Sequence, residues 1–95
     1  VPKTRKRDIE ELYEAILCMQ SVDEANSFFR DLLTETEIRE FAERWKAARM
    51  LTAKVPYVEI TKTTGLSSTT VARVARWVKK GTGGYTLAMK RLDRK

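Results

Sequence analysis

The residues best equipped for chemistry lie together in the last third of the chain. Ser67, Ser68, Thr69 and Thr70 offer four hydroxyls in succession, and Ala72, Arg73, Arg76, Lys79 and Lys80 follow at spacings that suit one side of a helix. Hydroxyls exchange hydrogen bonds with base edges or phosphate oxygens, a small methyl touches thymine, and a guanidinium holds a guanine edge through two parallel bonds. The free N–H groups at a helix start hold a phosphate. Small side chains there let the helix approach a groove floor that bulky ones would keep at a distance. These nine residues, with Lys62 just upstream, are expected to form a surface for double-stranded DNA.

Bond-breaking chemistry is not expected. The chain has no histidine, and its lone cysteine, Cys18, sits among apolar neighbours. Carboxylates are spread along helical faces rather than paired. The glycines at 81, 83 and 84 lack the preceding strand that a nucleotide loop requires, so they read as a linker. No spacing suggests a metal, and nothing points to a cofactor.

A helix that reads DNA must be held by others, and the sequence supplies them. Gly65 separates two short helical patterns, the arrangement of a helix-turn-helix over residues 56–80. Ile60, Leu66, Val71 and Val74 occupy its inward positions, and the methyl groups of Thr61 and Thr64 serve at the two smaller ones. Ser67 or Ser68 caps the second helix. Upstream, residues 8–20 place Ile9, Leu12, Tyr13, Ile16 and Leu17 on one helical face. Ser21 with Glu24 and Thr34 with Glu37 have capping-box spacing, which predicts two more helices, the second running to about Ala53. Its apolar stripe is Ile38, Phe41, Ala42, Trp45, Ala48 and Leu51, and a last helix fits residues 84–93. The expectation is an all-α fold of six helices.

Ninety-five residues suit a single domain, 1–95. The net charge of +6 is unevenly distributed: residues 1–7 carry +4, residues 8–53 carry −6, and residues 54–95 carry +8. A basic C-terminal half implies a polyanionic partner there. Residues 1–7 are expected to be a flexible basic arm. One cysteine, no apolar run of membrane-spanning length and no signal-peptide layout predict a cytoplasmic protein with no membrane partner.

The segments "FFRDLLTETEIREFAERWKAARML" (28–51), "YVEITKTTGLSSTTVARVARWVKKG" (57–81) and "Y..AMKRL" (85–92) carry a further signal. With them, the chain resembles the Trp repressor superfamily from about residue 9 to 92, and within it the Trp-repressor-related YerC/YecD-type branch. The resemblance implies an intertwined homodimer in which residues 8–53 are the dimerisation helices, with Phe28, Phe29, Phe41 and Trp45 in a shared core. It also implies two recognition helices about 34 Å apart on DNA and an inverted-repeat operator. One member of the superfamily takes L-tryptophan as corepressor, its indole held between two arginines, and Arg44 and Arg73 match those positions. Two small residues beside that ligand correspond here to Val74 and Trp77, which fill the space. Tryptophan binding is therefore not expected, and Trp77 itself is a candidate to occupy the site and hold a constitutive DNA-binding state. Arg44 has a simpler role open to it, pairing with Glu40 one turn earlier.

The expected function is a sequence-specific DNA-binding transcriptional regulator, a repressor, reading the major groove with the helix at about 67–80. The alternatives are a helix-turn-helix module for protein interaction and an effector-gated regulator with a small-molecule corepressor. Hydroxyls and arginines on the outward face, in place of apolar anchors, favour DNA over a protein partner. No aromatic-lined sheet is present to stack the bases of RNA.

Overall fold

A computed structural model describes residues 4–93 and contains six α-helices: α1 Thr4–Leu17, α2 Val22–Leu32, α3 Glu35–Thr52, α4 Tyr57–Thr64, α5 Ser68–Lys80 and α6 Gly84–Asp93. No strand occurs among the described residues. The chain divides into two compact units, Val1–Ile38 and Arg39–Lys95, with the boundary inside α3.

In the first unit, α1 starts earlier than the sequence suggested. Arg5, Lys6 and Arg7 are helical rather than part of a loose arm, while residues 1–3 lie outside the described residues. The cause is local: arginine and lysine are good helix formers, and Arg7 Nε reaches Glu11 Oε2 at 3.5 Å one turn on. Helix α2 begins where Ser21 Oγ accepts the Glu24 N–H at 3.1 Å. The Glu24 carboxylate reaches one residue further back than a standard box, accepting the Gln20 N–H at 2.8 Å. Thr34 and Glu37 close the full reciprocal box at the start of α3, Thr34 N–H to Glu37 Oε1 at 2.9 Å and Glu37 N–H to Thr34 Oγ1 at 3.1 Å. No residue of α2 is buried. Leu12, Ile16, Phe28 and Phe29 are half-buried, but Tyr13 is 58% exposed, Leu17 83% and Val22 85%, so the apolar surface of α1 and α2 is only partly covered in the single chain.

In the second unit, a core of Ala47, Ala48, Ile60, Val71 and Val74 is sealed by Leu51, Leu66, Val78, Tyr85 and Met89. Two consecutive alanines of α3, Ala47 and Ala48, are at 0% exposure in this core. The expected α3 stripe shifts accordingly: Ala47 joins the core, Trp45 is half-buried, and Phe41 and Ala42 are exposed. Tyr85 of α6 stacks on Trp45 at 6.2 Å, and the Arg49 guanidinium lies 5.9 Å from the same ring.

Helix α3 ends in a Schellman motif. The Val55 N–H donates to Met50 O and the Lys54 N–H to Leu51 O, both at 3.0 Å. Lys54 takes the left-handed conformation, φ 66°, at the position where glycine usually stands. Val55 and Met50, the apolar pair of the motif, both pack on the core.

Candidate nucleic-acid interface

The turn between α4 and α5 is fixed by one glycine and one threonine. Gly65 adopts φ 80° and ψ 0°, and its N–H donates to Thr61 O at 2.9 Å. No side-chain or backbone atom would meet a Cβ there, so the backbone conformation alone calls for glycine. Thr64 is buried, at 6% exposure. Its hydroxyl donates to Ile60 O at 2.7 Å and accepts the Leu66 N–H at 3.2 Å. The expected methyl role of Thr64 is therefore only half of what it does, because its hydroxyl also ties the end of α4 to the residue after the turn. Thr61 is half-buried, and its hydroxyl donates to Val58 O at 2.8 Å.

Ser67 is the cap of α5, accepting the Thr70 N–H at 3.1 Å. It also donates its proton to Thr70 Oγ1 at 3.0 Å. The Ser67 hydroxyl is thereby largely occupied as a structural cap, and the Thr70 hydroxyl keeps its own proton to donate. This narrows the expected role of Ser67 without removing it from the surface, since it is exposed.

Along α5 the two faces separate cleanly. Val71, Val74 and Ala75 are buried. Ser68, Thr69, Ala72, Arg73, Arg76, Lys79 and Lys80 are all exposed. At about 100° per residue the exposed set spans less than half of the helix circumference and the buried set lies opposite. Helix α5 holds no carboxylate, so four cations and the positive end of the helix dipole act on that surface without internal neutralisation. Lys62, on α4, is exposed as well.

The candidate effector residues stand in different surroundings. Val74, at 3% exposure, belongs to the core and is not available to line a ligand site. Trp77 is 54% exposed and does not fill an enclosed pocket; it lines an open recess with Thr82, Gly84 and Tyr85. Gly81 leaves room beside Trp77: a Cβ there would strike the Trp77 carbonyl oxygen and stand 2.8 Å from Trp77 Cε3. Arg44 and Arg73 are both exposed. The Arg44–Glu40 pair is not among the ion pairs of the described residues, which are Arg7–Glu11 and Arg30–Glu35. Among those residues no cluster of histidine, cysteine, aspartate or glutamate could hold a metal ion, and no helix is long and apolar enough to cross a membrane.

Two helices joined by a left-handed turn, the second presenting hydroxyls and cations, define a helix-turn-helix protein of the transcription-regulator class. Comparison with protein families makes this specific: residues 7–93 match the Trp repressor protein family, and the chain belongs to it. It is 35% identical over 92 residues to the uncharacterized protein YerC of Bacillus subtilis, covering 97% of this chain and 88% of that one. It is also similar to the crystal structure of a TrpR-like protein from Eubacterium eligens, with a TM-score of 0.90, 36% identity, and 96% and 94% of the two chains covered. A crystal structure from Staphylococcus aureus gives a TM-score of 0.88 at 30% identity, covering 100% of this chain and 98% of that one. These relatives support the Trp-repressor-related YerC-type branch and the six-helix fold.

Proposed function

We propose that the protein is a sequence-specific DNA-binding repressor that acts as a homodimer in the cytoplasm and reads the major groove with α5. The observation that carries this is the division of α5 into a buried Val71, Val74, Ala75 face and an exposed face of hydroxyls, Arg73, Arg76, Lys79 and Lys80. Arg73, in the first half of the helix, is assigned a base contact. Arg76, Lys79, Lys80 and Lys62 are assigned to phosphates, which position the protein without reading sequence. Ser68, Thr69, the Thr70 hydroxyl and Ala72 meet the groove at the helix start, where the Ser67 cap sets the helix angle.

The dimer is the second part of the reading. Ile9, Tyr13, Leu17, Val22, Leu32 and Phe41 are all exposed in the single chain. That much uncovered apolar surface on a basic, DNA-binding chain favours burial against a second copy, and residues 8–53 are the dimerisation segment. Two-fold symmetry then gives an inverted-repeat operator.

Tryptophan has no place in this reading, because Val74 lies in the core and Trp77 stands beside Arg73 on the same helix. DNA binding is therefore independent of added tryptophan, and calorimetric titration of the protein with tryptophan gives no saturable heat. Saturable heat would reinstate the effector-gated alternative. The DNA reading itself is tested by fluorescence anisotropy of labelled duplex over a range of salt. If about six phosphates are neutralised across the dimer, the log–log slope is about −5. A flat response would overturn it.

A further inference from the structure

A recess of about 310 Å³ lies between the C-terminal turn of α3, the start of α4 and the second half of α5. Leu51, Val55, Ala75 and Val78 give it an apolar lining, and Tyr57 adds an aromatic ring. The remaining polar lining is cationic: Lys54 and Lys79, both exposed, with no carboxylate among the lining residues. Neither lysine belongs to an ion pair of the described residues. Lys54 is also the non-glycine residue that sustains a left-handed backbone, at φ 66°. A charged side chain is thus held beside this recess at a position where glycine would be unstrained.

We infer that this recess binds a small carboxylic acid with an apolar body, its ring or branched chain on the Leu51–Val55–Val78 surface and its carboxylate between Lys54 and Lys79. The volume stands at the lower end of small-ligand sites, which run from about 300 to 1,000 Å³, so the body is no larger than a single ring. An apolar lining without the two ammonium groups would not distinguish an acid from its amide, and lysines without the lining would take any anion. The site differs from the Arg44–Arg73 pair and shares none of its residues. It goes beyond the DNA reading and meets it at one point. Lys79 is assigned to a phosphate, so an acid bound there removes one cation from the DNA face and weakens binding to the operator.

The test is a titration of the isotope-labelled, DNA-free protein with phenylacetate, read through backbone amide resonances, with 2-phenylacetamide as the neutral control. Phenylacetate should shift Lys54, Val55, Tyr57, Ala75 and Val78 saturably, with Kd on the order of a millimolar for so few atoms. Lys54→Gln and Lys79→Gln should each weaken it by roughly threefold to fivefold, as for an exposed ion pair. The amide should bind no better than the acid does to the double variant. Equal shifts from acid and amide, shifts centred elsewhere, or no saturation would overturn the assignment. Because DNA is absent, failure here leaves the DNA reading standing, and failure of DNA binding leaves this site standing.

Discussion

Arg73 and Thr64 show how differently two polar side chains of one motif can act. Arg73 is exposed on the recognition face. Arg73→Ala should cost about 1–3 kcal/mol of binding and relax preference at one base pair, whereas Lys80→Ala should weaken all sequences alike and reduce the salt slope by about 1. Parallel binding curves on matched and mismatched duplexes separate the two. Thr64 never meets DNA, yet Thr64→Val removes the link from Ile60 O to the Leu66 N–H and leaves that N–H without its partner. A loss of about 1–3 kcal/mol in urea denaturation is expected; no loss would show that water replaces the hydroxyl. Lys54→Gly should act the other way. A left-handed non-glycine residue costs about 1–2 kcal/mol, and the added backbone freedom of glycine returns about 0.5–1 of that, so Tm should rise slightly. The inward set Ile60, Leu66, Val71 and Val74 was legible in the sequence because helical period and one glycine fix it locally. The Ser67–Thr70 hydroxyl pair was not, since four adjacent hydroxyls do not reveal which one is spent on the cap. Nor was the left-handed Lys54, which stands where glycine would have signalled it.

At the scale of elements, helix starts were the most legible feature. Ser21 and Thr34 cap where their spacing to the following glutamates implied, and Ser67 is the one of the two candidate serines that caps α5, because a cap needs only a side chain and an N–H three residues on. The start of α1 is less legible because a run of basic residues resembles a solvated arm; Arg7 and Glu11, at helical spacing, are its sequence sign. Two glycines end their helices for different reasons, and substitution distinguishes them. Gly65→Ala should destabilise by about 1–2 kcal/mol through backbone strain alone, because space for the methyl is open. Gly81→Ala should instead strike both the Trp77 carbonyl and its ring, so the tryptophan fluorescence spectrum should shift for Gly81→Ala and stay unchanged for Gly65→Ala. An unchanged spectrum for Gly81→Ala would place the ring away from the helix end.

At the scale of the molecule, the contacts divide the chain into two units within α3. The pattern of apolar residues could not show this, because a stripe at helical period has the same form whether it is buried within the chain or awaits a second copy. Phe41 illustrates the ambiguity: it lies on the predicted stripe and is 50% exposed in the single chain. Charge behaves more simply. The +8 of residues 54–95 follows from composition, and α5 carries Arg73, Arg76, Lys79 and Lys80 of it on its exposed face. With no histidine in the chain, DNA affinity should be nearly constant between about pH 6 and 8, and a steep dependence in that window would show that an unforeseen group titrates at the interface.

The central claim, a dimer that reads sequence with α5, is tested most directly by selection from sheared genomic DNA. Purified protein captures fragments at moderate salt against excess random competitor, and the bound pool is sequenced. Enrichment of one inverted repeat, with half-sites about one helical turn apart, is the predicted result. A bound pool with the same sequence content as the input would contradict it, leaving α5 a surface that holds DNA by charge alone.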